Sequence, residues 1–76
     1  MIIPLDQVPA GRKIIVERIE GGHGVFARLY SLGLVPGSEV EVIVNRFVGP
    51  IVIRVRGTTV SIGRGLARRV YVRVVG

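Results

Sequence analysis

The 76-residue chain has no cysteine and no tryptophan, only two phenylalanines and two tyrosines, and a single histidine. Without cysteine there is no disulfide and no thiolate-held zinc or iron–sulfur site, and nothing marks an oxidising compartment. One histidine and five scattered carboxylates are too few to converge as an iron or zinc site, and they give acid–base catalysis few candidates. His23, three residues after Glu20, is a poor metal pair and is expected to be an exposed loop histidine. No metal site, no cofactor and no catalytic residue is expected. Apolar residues nowhere approach the roughly 18 in succession that a spanning helix requires. The start, MIIPLDQVPAGRK, has no basic segment before a long apolar run. A soluble, cytoplasmic protein is expected. The phosphate-cradling pattern GxxxxGK[ST] is missing as well: GGHG and GRG supply glycines without the lysine and hydroxyl, and both are expected to be plain connections.

What is present is arginine and aliphatic surface. Eleven basic residues, all but one of them arginine, stand against five acidic ones, for a formal charge of +6. That balance favours an acidic partner: nucleic acid, anionic lipid or an acidic protein face. A hydrophobic content of 49% exceeds what so small a chain can hide, since a domain of this size buries only about 60 to 65% of its unfolded surface. The surplus implies an exposed apolar patch, and with it a protein partner or a homo-oligomer.

No linker or repeat divides the chain, so residues 1–76 are expected to form a single domain. RKIIVERIE, Arg12 to Glu20, is β-branched and bounded by glycines, the pattern of a strand. In SEVEVIVNR, Val40, Val42 and Val44 alternate with Glu39, Glu41 and Asn45, with Ile43 the exception, which predicts the valines inward and the others outward. GPIVIRVRG, TTVSI and RVYVRVV continue the alternation, with Arg54, Arg56, Arg69, Tyr71 and Arg73 on outward positions. The fold class predicted is all-β: a closed or nearly closed small barrel of about five strands, with one short α-helix between the first and second. That helix runs from Gly24 to Leu32. Val25, Phe26, Leu29, Tyr30 and Leu32 cover an arc of about 160°, wider than the ~100° that a core-facing stripe needs.

The passage RLYSLGLVPGSEVEV turns this helix into a strand. Gly33 is suited to the φ > 0 residue after a helix end, and Leu34 to the apolar residue that folds back on the last turn. VPGS matches a type II turn with Pro36 second and Gly37 third. Gly33, Pro36 and Gly37 are therefore expected to be structural. The residues beside the overly wide arc, Phe26, Arg28, Tyr30, Leu34 and Val35, are expected to be what a partner contacts.

PLDQVPAGRKIIVERIEGG, ARLYSLGLVPGSEVEV and GPIVIRVRGTTVSIGRGLARRVYV, in this order and at this length, resemble the FeoA family. The central element is the most specific, with Arg28, Leu29, Leu32, Gly33, Pro36 and Gly37 at the family's separations. Ser31 departs from a frequent glutamate, and Gly63 and Leu66 from a frequent arginine and an acidic residue. The resemblance implies an SH3-like barrel related to the C-terminal domain of iron-dependent repressors. It also implies a non-catalytic regulator of ferrous iron transport whose partner is the cytosolic GTPase-bearing region of a FeoB-type transporter, with membrane contact only through that transporter.

Two other readings remain open at this point. A nucleic-acid-binding barrel would use Arg54, Arg56, Arg69 and Arg73 with Tyr71 as a stacking platform, although one aromatic is a thin one. A peptide-binding SH3-like module of the repressor type would need more aromatics than this chain has to line a polyproline groove.

Overall fold

The computed structural model describes residues 1–76. Alternating apolar residues build six strands: β1 (Ile2–Pro4), β2 (Lys13–Ile19), β3 (Glu39–Val44), β4 (Ile51–Val55), β5 (Thr58–Ile62) and β6 (Val70–Val74). They form one sheet in the order β1-β6-β2-β3-β4-β5, and every pairing is antiparallel. A single 3-10 turn (Leu5–Gln7) follows β1, helix α1 (His23–Ser31) joins β2 to β3, and the short α2 (Arg64–Ala67) joins β5 to β6. The sheet wraps around one cluster of 16 buried apolar residues. Strands contribute Ile14, Val16, Val40, Val42, Ile53 and Val72 among others, and Leu5, Val8, Leu29, Leu34 and Ala67 plug it from the connections. This is the SH3-like architecture expected, with one strand more. β1 and β5 remain its two edges.

Helix α1 lies one residue earlier than predicted, so His23 is exposed at its first position rather than in a loop. The GRG stretch, expected to be a turn, winds instead into α2, which buries Ala67 against the core. The two-residue β4–β5 connection pairs Val55 with Thr58 and places Arg56 at φ 52 and Gly57 at φ 77. Positive φ at both central residues is the twisted type I′ hairpin, in which the first position favours asparagine over a residue with a long side chain.

Two bulges reset the alternation. On β3, Val42 pairs with Ile53 but Val44 pairs with Val52, so Ile43 is an extra residue. The insertion reverses the parity beyond it. Val44 therefore joins the outward row, and Asn45, predicted to face water, is 8% exposed. Its buried amide is well satisfied. Nδ2 donates to the carbonyls of Asp6 (3.0 Å) and Val8 (2.8 Å). Oδ1 accepts from the Phe47 amide (2.9 Å) and from Arg64 Nη2 (2.8 Å). One side chain thus ties the β3–β4 loop, the turn after β1 and α2 together. The second bulge, at Glu17 on β2, sets Arg18 opposite Tyr71.

Asn45→Leu keeps the branched shape but leaves the Val8 carbonyl without its side-chain donor and the Phe47 amide and Arg64 Nη2 without their acceptor, and is expected to cost about 2 to 4 kcal/mol in urea unfolding. Val44→Ala, at the position that simple alternation would bury, is expected to cost about 1 kcal/mol or less. The reverse order would contradict the bulge. Arg56→Asn is expected to raise the unfolding free energy by about 0.5 to 1 kcal/mol, because asparagine adopts the left-handed conformation more readily.

Candidate docking surface on the helix and its exit

The exit of α1 determines what that helix shows to solvent. Leu32 caps it, Gly33 follows at φ +88, and Leu34 turns back. The Gly33 amide donates to Tyr30 O and the Leu34 amide to Leu29 O, both at 2.9 Å. That bond pair is the Schellman closure, and its apolar contact joins Leu29 to Leu34. Both are 0% exposed. The Ser38 amide then bonds Val35 O at 2.9 Å across Pro36 and Gly37, with Gly37 at φ +92, as the type II turn requires. Ser38 Oγ braces the corner, donating to Gly33 O and accepting from the Val35 amide, each at 3.1 Å.

With Leu29 turned inward, Val25 and Phe26 pack half-buried on the core edge. Tyr30 stands 51% exposed, its ring edge-on to Phe26 with centroids 6.0 Å apart. The core therefore takes less of the predicted apolar arc than its width suggested. Arg28 is exposed and enters no ion pair. At 100° per residue it lies about 160° around the helix from Tyr30. A partner touching both must cross Ala27 and Ser31, exposed residues that the apolar pattern did not single out. Val35 is half-buried beside the exit. Leu34 is a correction: its back-folding role consumes it in the core, so it offers nothing to a partner.

The basic strand positions do not assemble into one face. Arg54 and Arg56 belong to β4 and its turn, Arg69, Tyr71 and Arg73 to β6 and its approach, with β2 and β3 between. Arg54 pairs with Glu41 at 3.1 Å and Arg73 with Glu17 at 2.8 Å. Tyr71 is covered by the Arg18 guanidinium, 4.2 Å from its ring centroid, so its face is not free to stack a base. A shallow groove near the β4–β5 turn mixes Lys13, Arg54 and Arg56 with Glu39 and Glu41. No three His, Cys, Asp or Glu side chains converge, and no helix is long and apolar enough to cross a membrane.

An antiparallel six-stranded sheet with two short helices in its connections defines a small SH3-like domain. The chain belongs to the FeoA domain family, which matches residues 3–74. A relative from Methanocaldococcus jannaschii that bears the name Fe(2+) transport protein A is 41% identical over 69 residues, spanning 91% of this chain and 83% of that one. The crystal structure of an iron uptake regulatory protein, FeoA, superposes with a TM-score of 0.95 at 44% identity, covering 99% of this chain and 100% of the other. A manganese-dependent transcriptional repressor shares the fold over 97% of this chain and 42% of its own, with a TM-score of 0.88 at 24% identity. The likeness to repressors read from the sequence is thus a likeness of fold.

With two of the four outward strand arginines spent on carboxylates, association with single-stranded DNA is expected to be electrostatic only. Fluorescence anisotropy should show it falling steeply with salt and vanishing near physiological ionic strength. Tight binding that persists there would restore the nucleic-acid reading.

Proposed function

We propose that the protein is a non-catalytic regulator of ferrous iron uptake that docks on the cytosolic GTPase-bearing region of a FeoB-type transporter. Family membership and the names of its relatives support the iron-transport setting. The observation that carries the docking role is the Phe26–Tyr30 pair, with Tyr30 held half out of the core on a helix whose exit is locked. A tyrosine fixed in this way gives a partner a rigid amphipathic contact at low entropic cost. Arg28, free of internal ion pairs, supplies a directional contact on the far border of the same helix. A binder without catalytic groups acts on a GTPase by differential affinity, shifting the partner toward whichever nucleotide state it grips more tightly. Iron is cargo of the transporter in this reading, and the chain need not touch it.

Titration of the transporter's cytosolic region against the full chain tests the site. Tyr30→Ala is expected to weaken binding by roughly 2 kcal/mol, near thirty-fold in Kd, and Arg28→Glu by a comparable factor. Both variants should remain folded, with unfolding free energies in urea lowered by only about 0.5 to 1.5 kcal/mol, through the lost Phe26–Tyr30 edge contact or a negative charge in the last helical turn. Equal affinities for wild type and both variants would place the contact elsewhere.

A further inference from the structure

The β3–β4 loop carries a second apolar projection, remote from the helix. Phe47 is 57% exposed and Val48 77% exposed, followed by exposed Gly49 and Pro50 and preceded by exposed Arg46. Phe47 sits at φ 61, a left-handed conformation that costs a residue with a Cβ about 1 to 2 kcal/mol. Neither backbone geometry nor burial favours phenylalanine there; asparagine or glycine would suit the turn better. The tip is nonetheless held firmly. The Phe47 amide is tied to Asn45 Oδ1 at 2.9 Å, and Arg64 Nε donates to Gly49 O at 3.2 Å.

That clamp brings α2 against the loop and spends the Arg64 guanidinium on Gly49 O, Asp6 O and Asn45 Oδ1, which leaves Arg46 as the free cation next to Phe47 in the chain. Arg46 enters no ion pair, Arg64 stands beside Gly49, and Arg68 follows one helical turn later. The carboxylate among them, Asp6, is 4% exposed and lies 3.4 Å from Arg68 Nε. Three of the other four carboxylates, Glu17, Glu20 and Glu41, are already paired with Arg73, Arg18 and Arg54. Phe47 and Val48 together offer on the order of 200 Å² of apolar surface, about a quarter of the ~800 Å² per partner that a stable protein interface covers. A convex tip of that size, beside the unpaired Arg46 on a chain of formal charge +6, suits a bilayer interface, where a few apolar side chains insert and a flanking arginine meets headgroup phosphates.

We propose that the β3–β4 tip is a membrane-surface contact, with Phe47 and Val48 entering the interface of an anionic lipid bilayer and the unpaired Arg46 facing a lipid phosphate. The contact is independent of the helix surface. Gly33, at the exit of α1, faces Val55 at one end of β4, and the tip leads into Ile51 at the other, about 13 Å away along the strand. A membrane and a membrane-bound partner can therefore be engaged at the same time.

Co-sedimentation of the full chain with vesicles tests this, using phosphatidylcholine alone and phosphatidylcholine mixed with phosphatidylglycerol. The protein is expected to sediment with the anionic vesicles and not with the neutral ones. Arg46→Gln should lower the partition about fivefold, the value of one basic residue near an anionic surface. Phe47→Asn combined with Val48→Ser should lower it at least about tenfold while retaining the wild-type fold, since asparagine relaxes the strained position. Tyr30→Ala should bind vesicles as wild type does, which separates this test from that of transporter docking. Absence of sedimentation at low salt would overturn the proposal. So would equal binding of wild type and the tip variant, because net charge alone would then account for it. If the tip variant lost only its affinity for the transporter region, the tip would be a protein contact and the lipid assignment would fail.

Discussion

Leu29 and Leu34 meet in the core because Gly33, between them, adopts a left-handed conformation that a side chain would resist. Burial of two leucines contributes roughly 3 to 6 kcal/mol, a large share of the stability open to a domain this small. The same closure fixes the rotation of α1 about its axis. Once Leu29 points inward, Tyr30 has to stand at the border of the helix and Arg28 on its far side. Pro36 and Gly37 then return the chain as β3. A corner that looks like mere punctuation therefore sets which residues of the helix are open to a partner.

The opposite end of the molecule follows another economy. There the closure is polar, built on a buried amide that uses both donors and its acceptor oxygen without leaving any of them unsatisfied. Asn45 joins three segments distant in sequence, and Arg64 extends the tie to the loop backbone. The two ends hold two unlike projections: an aromatic flank on a helix, and a strained aliphatic–aromatic tip beside Arg46. The sheet between them carries most of its charge as cross-strand pairs. Those pairs are neutral, so the formal charge of +6 resides on unpaired cations such as Arg28, Arg46, Arg56 and Arg69, which lie on different elements rather than on a single basic face.

Strands β2 to β6, the helix, its termination and the type II turn were legible because each follows from local periodicity or turn chemistry. What escaped had no local signature. β1 is three residues long and ends in proline. α2 follows a glycine at its N-cap, Gly63, and contains another, Gly65, which disguised one helical turn. Ile43 shows in the sequence as an apolar break in the outward row, but a break does not announce an inserted residue, and a two-residue repeat that continues through it exchanges the faces of Val44 and Asn45. Leu34 was read as accessible even though its capping role already required burial; the two assignments competed, and packing decided. Phe47 escaped for a different reason: exposure of a loop aromatic is settled by backbone conformation, which the residue type does not announce. The separation of Arg54 and Arg56 from Arg69 and Arg73 needed the strand order, since alternation reveals the outward side of each strand but not which strands are neighbours.

We infer that the outward side of α1 and its exit form the protein-docking surface, held in place from below by the Leu29–Leu34 closure. Amide chemical-shift mapping of the isotopically labelled chain, titrated with the transporter's cytosolic region, tests it most directly. The account predicts perturbations concentrated between Phe26 and Val35, with Glu41, Arg54 and Arg73 unmoved. Perturbations centred on those strand residues, with the helix unaffected, would contradict it.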